Sequence, residues 1–286
     1  MPATKILVTL FAFAVGAVSA QSNAPKPAQQ TFDSPQAAAQ ALIGAASKND
    51  TAALRSILGS SAKGILTSGD PAQDAAERQE FAKIANQKHD LVPSSMTRHV
   101  MVLLIGDQEW PFPVPLLHEN NRWRFDPTRG AVEVRAREIG AHELDAIQAC
   151  AAFVGVEQEY AASKRSPAGT PEYAQMISGT PVPKEFAEAA GPNPAHPYHG
   201  YYFRVLKQQG PDAPGGRHSY VLGKTTSDHS MLGGFALVAW PATYNVTGIH
   251  TFIVNQDGII YEKDRGAKSA TPPMSYDPDS SWMPVD

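Results

Sequence analysis

Residues 132–163 carry the longest helical pattern in the chain: Ile139, Leu144, Ile147, Ala151, Val154 and Tyr160 fall at helical spacing, with Glu, Gln and Arg between them. One long helix is predicted there. The stretches on its two sides differ in character, so it bridges two halves, and the fold has to be built on either side of it.

Ahead of it, Ser34 is suited to cap a helix with Pro35 at its first position, and Ala38, Ala41, Leu42 and Ala45 recur at helical steps. Asn49-Asp50 ends that helix. A second begins at Thr51 with Leu54, Ile57 and Leu58, and a third spans 71–88 with Phe81, Ile84 and Ala85 on one face. Strands follow at 98–105, then at 113–117, paired through His118-Glu119-Asn120-Asn121 with 122–126. Helices first and hairpins after them describe an α+β domain over 33–130, preceded by a polar, proline-containing flexible linker at 21–32.

Behind the pattern, Pro167, Pro171, Pro181, Pro183, Pro192, Pro194 and Pro197 make 164–197 an exposed loop, with short helices expected only at 171–177 and 184–190. Residues 131–197 are thus a bridging helix and a proline-rich loop. Strands are then expected at 201–206, 233–240, 248–255 and 259–263. Gln256-Asp257-Gly258 joins the last two, a strong hairpin signal. The predicted fold class is α+β: N-terminal helices with an antiparallel sheet, a long bridging helix, and a C-terminal antiparallel β-meander over 198–266. The tail, 267–286, is expected to cover an edge.

The N-terminus points to a compartment. Lys5 supplies a positive start, residues 6–18 an apolar run, and Val18-Ser19-Ala20 a small-residue cleavage site, the pattern of a secretory signal peptide over 1–20. Gly16 and Ser19 break the run before the ~20 residues that a membrane span needs, and no second segment approaches one. A periplasmic or secreted protein is expected. The single Cys allows neither an intrachain disulfide nor a Cys-based zinc cage, and a net charge of -4 gives no nucleic-acid surface.

Four strings are distinctive: PYHGYYFRVLKQQGPDAPGG at 197–216, GGFALVAWPATYNVTGIHTFIVNQDGIIYEKDRG at 233–266, WPFPVPL at 110–116 and RWRFDPTRG at 122–130. With them the chain resembles the bacterial exported family known as domain of unknown function 2950. It departs from the family's usual strings at Asn245-Val246 and at Arg265, and its proline-rich loop is short. The family implies no activity. In shape, the first half resembles the cone-like folds of the nuclear-transport-factor (NTF2) or cystatin type, and the second resembles the globular half of type II pseudopilins. Fold likeness carries no function with it.

Candidate chemistry is thin. Cys150 lies among alanines inside the bridging helix, without the cationic neighbour or helix N-terminus that activates a thiol, so it reads as buried and inert. His196-Pro197-Tyr198-His199 could place two imidazoles on one metal, with His218, His229 or His250 as a third ligand. The ordinary alternative makes them loop and strand-start residues, and no metal or cofactor is expected. His142-Glu143 lacks the second His of a zinc-protease motif. Ser60-Ser61-Ala62-Lys63, with Lys224-Thr225-Thr226, only echoes a penicillin-binding site and sits where a helix-ending turn is expected. Of the paired acids, Asp107 and Glu109 sit in a turn, and Glu157 and Glu159, two apart on a helix, do not face each other and read as a solvated face. Asn245-Val246-Thr247 matches a glycosylation sequon, and no glycan is expected on it in a bacterial protein.

The aromatics gather near turns and strand ends, and Trp110, Trp123, Tyr198, His199, Tyr201, Tyr202, Trp240 and Tyr244 form the candidate binding surface. The function expected is a non-enzymatic cell-envelope binding or assembly module whose partner is an envelope protein or a glycan. The alternative is a periplasmic hydrolase or metal-dependent enzyme built on His196 and His199, which requires those imidazoles and another to converge in a concave site. A small-ligand carrier would instead show a deep apolar pocket lined by Trp110 or Trp123. For export, N-terminal sequencing of chain recovered from the periplasm is expected to begin at Gln21. Full-length chain held in the cytoplasm would refute the signal.

Overall fold

A computed structural model of the chain describes residues 28–94, 97–175, 183–190, 194–222 and 230–285. The expected cleavage site at Ala20, the residues Lys224, Thr225 and Thr226, and His229 lie outside them. The helices are α1 Pro35–Ser47, α2 Thr51–Leu58, α3 Lys63–Leu66, α4 Pro71–Gln87, α5 Pro127–Ser163 and α6 Lys184–Ala189. The strands of the first half are β1 His89–Ser94, β2 Thr97–Ile105, β3 Trp110–Pro111, β4 Leu116–Glu119 and β5 Arg122–Phe125. Those of the second are β6 Tyr201–Leu206, β7 Gln208–Gln209, β8 His218–Ser219, β9 Val221–Leu222, β10 Ser230–Met231, β11 Ala236–Pro241, β12 His250–Asn255, β13 Ile260–Asp264 and β14 Met283–Pro284. The architecture is α+β.

The chain divides into two compact units, one ending at Arg137 and the other beginning at Glu138. The division falls inside α5, later than the boundary at 130 read from the sequence. In the first unit the helix starts follow their caps: Ser34 accepts from the Ala37 amide, Asp50 from Ala53, and Asp70 from Ala72 and Gln73. Leu42, Ile57, Leu58 and Phe81 are then buried with Leu103, Leu116 and Phe125 from the sheet, each contributing roughly 1.5–3 kcal/mol.

β1 was not foreseen. Pro93 lies in it, and its antiparallel pairing with β2 at the sheet edge is where proline is tolerated. The β4–β5 turn is two residues rather than four: Asn120 and Asn121 both take positive φ, 49° and 63°, as a type I′ hairpin requires.

Two further expectations are corrected here. Residues 29–32 are not linker: the Gln29 amide donates to the carbonyls of Ile57 (3.0 Å) and Phe125 (2.7 Å), and the backbones of Phe32 and Trp123 bond each other both ways at 2.8 Å. Helix α5 begins at Pro127, five residues before the pattern, because Asp126 caps it through the amides of Thr128 and Arg129. Gly130 suits this first turn, since a Cβ there would lie 2.7 Å from Val114.

The sheet of the second unit runs in the order β14-β13-β12-β11-β6, antiparallel throughout. Alternation along β6 sends Tyr201, Phe203 and Val205 to one face, where Phe186 of α6 meets Phe203 edge-on at 4.7 Å. On the other, Arg204 lies over Trp240 at 5.2 Å and reaches Met274, and Lys263 lies over Trp282. The tail therefore does more than cover an edge. β14 extends the sheet, while Ser269, Tyr276 and Trp282 are buried. The helix expected at 171–177 is absent over 171–175, where Tyr173 instead bridges to Met231 and packs on Phe235.

Gly248 carries a sharp test of this packing, because a Cβ there would overlap the buried Tyr201 hydroxyl. Urea denaturation is expected to find Gly248→Ala destabilised by about 2 kcal/mol. Gly44→Ala in α1, with no atom within 4 Å of the added Cβ, should be stabilised by about 0.5–1 kcal/mol.

Candidate functional site

The string His142-Glu143-Leu144-Asp145 on α5 brings polar side chains to the second unit's strand starts. Glu143 Oε1 accepts the backbone amides of Ile249 (2.8 Å) and His250 (2.9 Å) and lies 3.1 Å from His250 Nδ1. The Tyr201 hydroxyl donates to the His250 carbonyl at 2.9 Å and stands 3.5 Å from the same carboxylate. Burial, and secondarily Glu143, push the Tyr201 hydroxyl's pKa upward, so it stays a neutral donor. His142 Nδ1 is 3.0 Å from the Thr247 carbonyl, which can only accept, so that nitrogen carries the proton.

Asp145 takes a different partner. His199 Nδ1 lies 2.5 Å from Asp145 Oδ2, with both side chains part-exposed. His199 (φ 46°) and Gly200 (φ 77°) form a two-residue turn closed by paired 2.9 Å bonds between Tyr198 and Tyr201. Gly200 is required twice over, by its φ and because a Cβ would stand 2.8 Å from His142 Nδ1. The turn holds the Tyr198 ring 4.2 Å from that of His199 and 5.6 Å from Phe186.

Beside this turn a groove of about 550 Å³ follows α5. Ala149, Phe153 and Phe186 are buried at its base, while Gln148, Ala152, Gly155 and Glu159 are exposed. Asp145 and Tyr198 close one end.

The aromatic candidates separate accordingly. Tyr198 and His199 belong to the groove region. Tyr201 (0% exposed) and Trp240 (6%) are core residues and form no surface, because both faces of their sheet are covered. Tyr202 packs on Trp240, and Tyr244 is exposed with its hydroxyl 3.3 Å from Asp264. In the first unit Trp123 stacks on His118 at 4.7 Å. Trp110 lies under Arg137 and lines an apolar pocket with Leu42, Leu58, Phe81 and Phe112. That pocket is the one expected of a ligand carrier, but its volume is only about 60 Å³. Asp74 lies at its polar side, where burial would raise the carboxyl's pKa but the hydroxyl and amide of Ser68 outweigh it and lower it.

The candidate histidines among the described residues do not converge. His199 goes to Asp145, His250 to Glu143, His218 to the carbonyls of Gly216 and Gly233, and His196 is exposed. Among the described residues no group of three or more His, Cys, Asp or Glu is placed to hold a metal. Cys150 is buried, which pushes its thiol up to about 12 and leaves it unreactive.

Sequence reasoning read Glu143 only as part of an incomplete zinc-protease motif and passed over Asp145, and nothing local marks either as a contact to a distant turn or strand. It also set Glu157 on a solvated face. Glu157 is 1% exposed, and burial raises its carboxyl to about 7 even though Oε2 accepts the Ala174 amide at 2.8 Å.

A family model described as "Protein of unknown function (DUF2950)" matches the chain over residues 29–186 and 178–285. No curated protein and no solved structure matches it.

Glu157 generates a pH prediction. With its pKa raised from 4.5 to about 7 on folding, its contribution is fully present below pH 4.5 and is lost as pH rises through about 7. The loss is about 3 kcal/mol at most. Denaturant titrations across pH 4–8 are expected to show this decline, and Glu157→Gln, which keeps an acceptor for Ala174, should flatten it and be the more stable chain at pH 8. An unchanged profile in the variant would refute the assignment.

Proposed function

The chain belongs to the DUF2950 family, whose function is unknown, and from its own geometry we propose that it is an exported, non-enzymatic binding module of the cell envelope. Its partner, an envelope protein or a glycan, sits in the groove beside α5. The groove's size carries this reading: about 550 Å³ falls within the roughly 300–1,000 Å³ of ligand sites. The pocket under Trp110, at about 60 Å³, holds no more than a few waters.

The polar groups around the groove support binding over catalysis. Glu143 is committed to two amides and an imidazole, so as a general base it would have to release contacts that hold β12. The His199–Asp145 pair is the one arrangement that favours the enzymatic alternative, since an oriented imidazole at a groove mouth has the geometry of a general base.

Protein-observed NMR of the mature chain with panels of oligosaccharides and peptides is expected to shift signals of Ala149, Ala152, Tyr198 and His199. Ala152→Trp, which fills the groove, should weaken binding at least tenfold with the fold retained. Turnover of a substrate, lost in His199→Ala, would overturn the non-enzymatic reading.

A further inference from the structure

We infer that residues 164–175 form a pH-released strap, latched to α5 by the buried carboxyl of Glu157 and opening locally when that carboxyl ionises. Glu157 stands one turn beyond Phe153 on the row of α5 that carries Ala146 and Cys150, and it is 1% exposed, where packing calls for an apolar side chain. Among the described residues its one hydrogen bond is to the strap, from the Ala174 amide at 2.8 Å. A neutral side-chain amide would accept that bond as well. What an acid adds in this place is dependence on pH.

The strap is lightly held. Its outer part closes on itself, with the Ser166 amide donating to the Thr170 carbonyl (2.9 Å), Gly169 to Ser166 (2.8 Å) and Glu172 to Lys164 (3.1 Å). Its described contacts to the body, besides Glu157, are the Tyr173 amide on the Met231 carbonyl at 2.9 Å, the Tyr173 ring 5.0 Å from that of Phe235, and the Lys207 ammonium on Gln175 Oε1 at 3.3 Å. Residues 171–175 are half-buried, whereas β11 is buried along its whole length. A segment with so little buried contact opens at lower cost than the sheet beneath it.

No cation bonds to Glu157 among the described residues. Along its row of α5 the titratable side chains are Cys150, two turns back, and Tyr160, one turn on; the strap brings Lys164, Arg165, Glu172 and Tyr173, and Lys207 is turned to Gln175. β10 and β11 carry none. Ionisation in the closed form therefore leaves a carboxylate out of water without a counter-charge. Burial raises its pKa from 4.5 to about 7, and opening lets water reach it and restores the ordinary value. Opening is thus least favoured below pH 4.5, grows easier up to about pH 7, and is level above that. The two values set the whole rise at about 300-fold at most.

Amide hydrogen exchange of the full mature chain, followed by NMR from pH 4.5 to 8 and divided at each pH by the intrinsic exchange rate, tests the strap. Protection of the Tyr173 and Ala174 amides is expected to fall by about 30-fold or more up to pH 7 and then level, while Val238 and Ala239 of β11 stay the more protected throughout. Glu157→Gln should hold the strap amides near their low-pH protection at every pH. Constant protection in the unsubstituted chain would overturn the inference without recourse to any variant, and so would an equally steep fall in Glu157→Gln. If Tyr173 and Ala174 lose protection but match β11 at every pH, they exchange by unfolding of the whole unit. In that case the strap is overturned and the effect of Glu157 on global stability stands.

Discussion

Glu143 gives one oxygen to the amides of Ile249 and His250 and holds the His250 ring beside it, and this contact fixes where β12 begins relative to α5. A carboxylate accepting backbone amides makes charge-assisted bonds about twice as strong as neutral ones. It also gives two part-buried donors at a strand start their acceptor. The Tyr201 hydroxyl extends the same polar junction to β6, where Gly248 leaves it room. Helix and sheet are thus pinned at one end by polar contacts, while Phe153, Phe186, Phe203 and Phe235 fill the interior behind them.

The groove follows from that pinning. With Glu143 and His142 holding β12 and the turn before it, the Tyr198–Tyr201 turn packs against the same stretch of helix, and Asp145 receives His199. The turn lifts Tyr198 beside α5, and α6 brings Phe186 to meet it, so the space between them stays open above small side chains. Positive φ at His199 is ordinary for a two-residue hairpin turn of this type and marks no strained catalytic residue. What gives the His199–Asp145 pair interest is its position at the end of an open groove.

Much of the fold was legible because its signals are local. Ser34-Pro35 and Asp50 announce helix starts, and Asp257-Gly258 with Gly258 at φ 78° announces the last hairpin. Asp126-Pro127 is an equally good start signal, but at the end of a strand-like run it was read as part of the strand. The site was far less legible. Glu143 meets Ile249 across 106 positions, and no local spacing encodes such a contact. Tyr201 and Trp240 looked like surface candidates because ring chemistry says nothing about which faces of a sheet are covered. Only the fold places the tail's Tyr276 and Trp282 where they are buried.

The helical pattern itself shows how periodicity can find an element and misplace part of its face: Ile139 and Val154 are buried and Ile147 packs against the core, as the pattern has them. Leu144, taken as part of the apolar stripe, is 60% exposed, and Ala151 is exposed too. The row that meets the sheet is Ala146, Ala149, Cys150 and Phe153, chiefly small residues whose weak hydropathy hides them among their neighbours. Small side chains let the helix lie close to the sheet, and close approach is what lets a side chain as short as that of Glu143 or Asp145 reach the backbone of β12 or the turn before β6. On the adjoining row, Ala152 and Gly155 lack the bulk to fill the space above them. An alanine-rich helix is therefore suited both to close packing on its sheet side and to an open groove beside it, and the groove is a consequence of which positions stay small.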